Sequence, residues 1–306
     1  MIKIYQKRIS DSKIKEISEF RAGSWICAQN ASEGEIAVLE KDFKLDLNIL
    51  RDALDPYEAP RVETERGIVY IFTRVAQKSE ERIVTVPLLI AIGPDFVLTL
   101  SKEENQILNK FIESGLSFTT TQKTQLLLRI LSETIKSYNS FLTSISRNVR
   151  EASGRVGKIN EKVIMNFVGF EEELNDFLSA LTHTNPVLQN ILGGKLIKLY
   201  EQDGELMEDL ILSANQLINL CQSTLKNIVN IREAYSTIVT NDLNRVIKLF
   251  TSFTVILTIP TIIASLYGMN VALPLAGNPE AFWMISLAIV VIVSAVLYVF
   301  SRNRWL

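Results

Sequence analysis

Up to about residue 120, apolar residues come in short runs rich in β-branched and aromatic side chains, bounded by Gly, Pro or Asp. Ser24–Gln29, Ile68–Val75, Arg82–Ile92 and Phe96–Leu100 read as strands, the last two joined by a turn at Pro94-Asp95. Leu45–Leu54 has helical spacing, with Leu47, Leu50 and Leu54 on one face, and ends at Asp55-Pro56. From Thr121 the strand signal fades. Gln122–Ala152 and Asn160–Leu181 read as amphipathic helices separated by Gly154 and Gly157, and Asn185-Pro186 begins a further segment that runs to Gly193-Gly194. Between Glu205 and Leu266 there is one proline, Pro260, and no glycine. As one helix this stretch would rise about 93 Å, too long for a globular domain.

The first part of that helix carries Met207, Leu210, Ala214, Leu217, Cys221, Thr224, Ile228, Ile231, Tyr235 and Ile238 at alternating spacings of three and four. This reads as a coiled-coil seam shared between subunits. A helix packed on its own chain's neighbours is the alternative. Two stretches then lack charge altogether, Leu249–Leu266 and Ala281–Phe300. The second spans about 30 Å as a helix, the thickness of a bilayer core. The first contains six Thr or Ser among its 18 residues, and five of them are ordered. Thr251, Thr254, Thr258, Thr261 and Ser265 fall within an arc of about 80° on one helical face. That face continues downward to Ile247 and Asn244, while Ile256, Leu257, Ile259 and Ile263 point elsewhere.

A polar stripe on a membrane helix can be a packing surface, where small hydroxyl residues allow close approach, or a wet surface lining a pore. A packing patch usually covers two or three positions. Five positions over the full depth favour the pore. One stripe encloses water only by facing copies of itself, so the pore reading demands a homo-oligomer.

Charge sets the orientation. Arg245 and Lys248 precede the first span, Arg302 and Arg304 follow the second, and the loop Tyr267–Glu280 has neither Lys nor Arg. The positive-inside rule places both termini in the cytosol and the loop outside, with Trp283, Tyr298 and Trp305 as interfacial anchors. The N-terminus has no apolar signal-peptide core. The division expected is a cytosolic α/β domain over 1–120, paired helices over 121–200, a stalk over 201–248, spans at 249–266 and 281–300 around the loop 267–280, and a cytosolic tail over 301–306. Pro260 lies inside the first span, where membrane helices tolerate it.

Composition removes several alternatives. A net charge of −2 without a long basic run gives no reason to expect nucleic acid. One histidine, His183, and two distant cysteines, Cys27 and Cys221, cannot assemble a Cys/His zinc site or a disulfide framework; both thiols are expected reduced and buried. There is no phosphate-binding glycine loop, nucleophile elbow or metal-ligand cluster, so no enzyme and no organic cofactor are called for.

At the outer end of the first span stands Tyr267-Gly268-Met269-Asn270. This motif, between two spans near the C-terminus and after a long helix, resembles the CorA family of magnesium and divalent-cation channels. Asn244–Thr251 (NRVIKLFT) and Asp55–Glu63 (DPYEAPRVE) also look like family patterns. The resemblance covers the whole chain. It implies a homopentamer in the cytoplasmic membrane that carries Mg²⁺, with Co²⁺ or Ni²⁺ as passengers and internal Mg²⁺ as regulator. Gly268, Met269 and Asn270 would form the outer mouth. Asn244, Ile247, Phe250, Thr254, Thr258, Thr261 and Ser265 would face the axis, nearly the list that spacing yields, with Thr251 added by spacing.

The chemistry agrees: Mg²⁺ holds its water tightly, and a ring of Asn270 amides can hydrogen-bond the hydration shell without stripping it. Carboxylates would retain the ion too firmly, and none lies between Lys248 and Asn270. Gly268, without a Cβ, suits the sharp turn of a helix end. Ile247 and Phe250 are candidates for a dewetting gate, with packing between neighbouring helices as the alternative. The resemblance also implies a regulatory metal site between subunits, with Asp209 on the stalk facing Glu80 and Glu81 of the neighbour; a solvated acidic pair without such a role is the alternative. Thr258 stands where some members have a bulky apolar residue, the tail has few basic residues, and Glu280 is the single acid of the outer loop. The rival readings are a zinc transporter of the same fold and a non-conducting, membrane-anchored coiled-coil scaffold.

Overall fold

The structure, a computed structural model, describes residues 1–80, 82–113, 118–154, 161–271, 273–274 and 277–303. The chain divides into two units, Met1–Ile231 and Arg232–Leu306. In the first, seven strands form one mixed sheet: β1 (Ile2–Gln6), β2 (Lys15–Ile17), β3 (Ser24–Gln29), β4 (Arg61–Glu65), β5 (Ile68–Ser79), β6 (Arg82–Ile92) and β7 (Phe96–Ser101). Their order is β2-β1-β3-β7-β6-β5-β4. All neighbours are antiparallel except β3 and β7, which run parallel with Ser24 opposite Phe96.

The central strands are apolar on both faces because helices cover both. Successive side chains alternate: Trp25 and Cys27 enter one core, Ile26 and Ala28 the other. The second core is closed by α1 (Glu33–Phe43) and α2 (Leu47–Asp52), which contribute Ile36, Leu39, Ile49 and Leu50. α1 starts at a capping box, with the Glu35 N–H donating to Ser32 Oγ and the Ser32 N–H to Glu35 Oε2. The first core receives α3 (Gln106–Glu113), α4 (Lys123–Ser153), α5 (Glu161–Leu192) and the start of α6 (Glu201–Tyr267). Tyr138 on α4 donates to the Arg74 carbonyl at 3.0 Å and Ser137 to that of Ala76 at 2.7 Å, tying this helix to β5. Cys27 and Cys221 are free and buried, as expected. His183 is exposed, its Nδ1 2.7 Å from the Ser179 carbonyl.

The four expected strands are present, as is the turn at Pro94-Asp95. Three others escaped the pattern. β4 reads RVETE, the charged composition by which edge strands avoid further pairing. β2 has three residues, and β1 is only partly buried. Helix α1 escaped because it buries only Ile36 and Leu39.

Two expectations are corrected. Asn185-Pro186 begins no new segment: α5 is helical from Glu161 to Leu192 with Pro186 inside. Proline removes one backbone donor, but Phe177, Ala180, Leu181, Val187, Leu188 and Ile191 hold one buried face across it, and this packing outweighs the lost bond. The seam from Met207 to Ile231 is not shared between subunits, because a single chain already buries it in the first core. Periodicity reports that a face is covered, not by what. Here the cover includes α4 and α5, whose Asn185 donates to Asn215 of α6 at 2.7 Å. Tyr235 and Ile238, in the second unit, are only partly buried.

Glu173 on α5 has a titration consequence. Its Oε1 accepts from the Ile83 N–H at 3.0 Å, and its other oxygen is buried without a hydrogen-bond partner among the described residues. Burial raises its pKa, the nearby Asp176 and Glu172 add to this, and the Ile83 bond and Arg82 oppose it. The folded state thus holds this proton more tightly than the unfolded chain, so the ionised form costs stability at neutral pH. Glu173→Gln keeps the acceptor and removes the charge. Thermal unfolding will show the variant more stable than wild type at neutral pH, with the difference shrinking as pH falls below the raised folded pKa of Glu173 and gone below the ordinary carboxylate range.

Candidate ion path

In the second unit α6 continues unbroken to Tyr267 through Pro260, and α7 spans Ala281–Arg302. Both are long and apolar enough to cross a membrane. α6 has 67 residues, so it rises about 100 Å. Just before α7 the Asn278 Oδ1 accepts from the Glu280 N–H at 3.0 Å.

The sides of α6 differ sharply. Ser252 is fully buried, and Ile256, Ile259, Pro260 and Ile263 are partly buried, at spacings that make them one face. On α7 the covered positions are Ala281, Ile285, Ile289, Val293, Val296 and Phe300, again one face at helical spacing, joined by the neighbouring Ser286. These are the faces turned to the rest of the unit. Thr251, Thr254, Thr258, Thr261 and Ser265 are all exposed, on the side of α6 opposite to Ser252. Asn244 is exposed, as are Ile247 at 53% and Phe250 at 66%. The line runs one turn further than the sequence reading took it. Thr240, four residues before Asn244, lies on it and is exposed.

The hydroxyl protons are committed. Thr251 Oγ1 donates to the Ile247 carbonyl at 2.9 Å, Thr254 to Phe250 at 2.9 Å, Thr258 to Thr254 at 2.7 Å and Thr261 to Leu257 at 2.8 Å. Each oxygen keeps its lone pairs directed away from the backbone, so the stripe presents acceptors. A hydrated cation turns its water hydrogens outward and meets acceptors well.

At the end of α6 the Gly268 N–H donates to Ala264 at 3.0 Å and Ser265 at 3.2 Å, and the Met269 N–H to Leu266 at 3.3 Å. Gly268, Met269 and Asn270 are exposed. The local reason given for glycine is corrected. Gly268 does not adopt the left-handed conformation, and a Cβ there would meet the Ala264 and Ser265 carbonyls at 3.4 and 3.5 Å, close to ordinary contact. The helix end leaves space for a side chain at this position.

Asp209 on α6 and Glu80 at the β5–β6 turn are exposed, and Glu80 has a φ of +49°. Glu81, Arg304 and Trp305 lie outside the described residues, as does Gly157. Among the described residues no group of three His, Cys, Asp or Glu side chains gathers within one chain to hold a metal.

Comparison with known proteins assigns the family. Residues 21–302 match the model of the CorA-like Mg2+ transporter protein family. The cobalt/magnesium transport protein CorA of Methanocaldococcus jannaschii is 27% identical, over 97% of this chain and 96% of the relative. The magnesium transport protein CorA of Wolinella succinogenes is 23% identical, over 92% and 91%. Among solved structures, the complete CorA magnesium transporter from M. jannaschii superimposes with a TM-score of 0.87 at 24% identity, covering 100% of this chain and 99% of that one. The full-length CmaX protein gives a TM-score of 0.78 at 15% identity, over 99% and 97%. With a family match from the third strand to the end of the last helix, and relatives aligned over nearly their whole length, this chain belongs to the CorA-like Mg2+ transporter family.

Proposed function

We propose that copies of this chain, five in the arrangement the family implies, close around one axis and conduct hydrated Mg²⁺ across the cytoplasmic membrane, with Co²⁺ and Ni²⁺ as further cargo. The observation that carries this reading is the exposed line of hydroxyl acceptors along α6, opposite the side covered within the unit. A polar line facing lipid would be costly, whereas copies facing one another around water satisfy it. Asn270 amides form the outer ring, bonding the hydration shell rather than the ion. Gly268 fits the same picture: its own chain leaves space for a Cβ, but helix ends converging on an axis would not. Ile247 and Phe250 close the cytosolic end by dewetting. Both termini lie in the cytosol, set by Arg245, Lys248 and Arg302.

Regulation follows from acids between copies. Asp209 of one copy and Glu80 and Glu81 of the next repel when empty and are bridged when internal Mg²⁺ binds, which favours the closed state. Asp209→Asn will therefore conduct at internal Mg²⁺ concentrations that silence the wild type, as proteoliposomes loaded with graded Mg²⁺ will show. The cargo itself is tested by growth of a magnesium-requiring strain at low Mg²⁺. Growth rescued by this chain supports the reading. Failure to rescue, with Zn²⁺ flux intact, would replace it with zinc transport, and absence of all flux would leave a membrane-anchored scaffold.

A further inference from the structure

Beside α1, on the second core's side of the sheet, a cavity of about 290 Å³ opens against an aromatic wall. Phe43 meets Phe20 and Phe96 edge to face with centroids 5.3 Å away in each case, and Phe20 and Phe96 lie 6.4 Å apart. Phe96 is nearly buried, its ring over Gly93, where a Cβ would come within 2.4 Å of it. Phe20 is 42% exposed. An open phenylalanine completing a three-ring wall is a surface to stack on.

The rim is charged. Lys44 and Arg66 line the cavity, and both have left-handed backbones, with φ of 55° and 53°. Lys44 ends α1, and Arg66 precedes Gly67 in the β4–β5 turn. At both places Gly or Asn would cost less. The helix dipole favours a cation at Lys44. It gives no reason for Arg66, whose ion pair with the adjacent Glu65, at 3.9 Å and exposed, contributes little. Two of the four non-glycine residues with positive φ among the described residues thus bring a long cation to one cavity. Asp42 and Asp95 lie on the same rim as acceptors.

We propose that this cavity binds a nucleoside monophosphate, independently of the transport reading. Its base lies against Phe20 and Phe43, its phosphate meets Lys44 and Arg66, and its ribose hydroxyls donate to the aspartates. The volume stands at the small end of ligand pockets, which run upward from about 300 Å³, and suits one base with one phosphate.

The test is calorimetric titration of the full chain in detergent with AMP, and separately with adenosine and inorganic phosphate. AMP will bind saturably, and each half-ligand at least about tenfold more weakly, the weight of a charge-assisted hydrogen bond or a stacked ring. Lys44→Asn and Arg66→Asn will each weaken AMP binding about tenfold, with a melting temperature unchanged or higher, because asparagine suits both backbones. Phe20→Ala will weaken it too, while Mg²⁺ flux without AMP stays as in wild type. No saturable AMP binding at millimolar concentration, adenosine bound as tightly as AMP, or affinity untouched by all three substitutions would overturn the proposal.

Discussion

Asn270→Ala will sharply reduce Mg²⁺ conduction while the protein remains folded and inserted. Asn270 is exposed beyond the end of α6, and nothing in the chain's cores depends on it. Its loss therefore leaves stability near wild type. In the proposed oligomer every copy loses the amide at once. Each hydrogen bond to the hydration shell is worth about 1 kcal/mol net, so a ring of them removes several kcal/mol from the step that brings the hydrated ion to the mouth. Flux into proteoliposomes will fall by at least about tenfold, and more if the lost terms add. Unchanged flux would mean that this residue stands away from the path.

The second large effect lies deeper in the membrane. Thr254→Val combined with Thr258→Val keeps the side-chain shape and removes two consecutive levels of acceptors. The helix tolerates the change, since each hydroxyl donates to a carbonyl of the preceding turn rather than holding one element to another. The ion's water loses its partners over two turns and meets a dry, apolar surface, where a pore dewets. Flux will drop on the order of tenfold or more, and Ser252→Ala, on the covered side of the same helix, will leave it near wild type. Equal effects at both faces would mean that helix packing, and not contact with the ion's water, is being measured.

Much of this was legible in residue order. The hydroxyl stripe could be read because a helix repeats every 3.6 residues and a hydroxyl in an apolar span is conspicuous. The central strands were legible because burial on both faces makes continuous apolar runs. What failed to show has physical causes. Edge strand β4 is charged because an edge must resist pairing, which erases the apolar signal. The seam at Met207–Ile231 and the helical run through Pro186 depend on partners distant in sequence, so spacing reveals a buried face without its cover. Gly268 is the reverse case. It stands in the turn just past the end of α6, but without the left-handed conformation that would make glycine necessary there.

As proposed, the hydroxyl line of α6 faces water at the middle of the assembly. Single cysteines at Thr254, Thr258 and Thr261, with Ser252 and Leu257 as comparisons, can be probed by a charged, membrane-impermeant thiol reagent during Mg²⁺ flux. Native Cys27 and Cys221 are buried and will stay silent. The three stripe cysteines will be labelled from the aqueous phase and labelling will block flux, while the other two stay unreactive. Stripe cysteines that stay inert while flux continues, or labelling confined to Ser252 or Leu257, would contradict this placement.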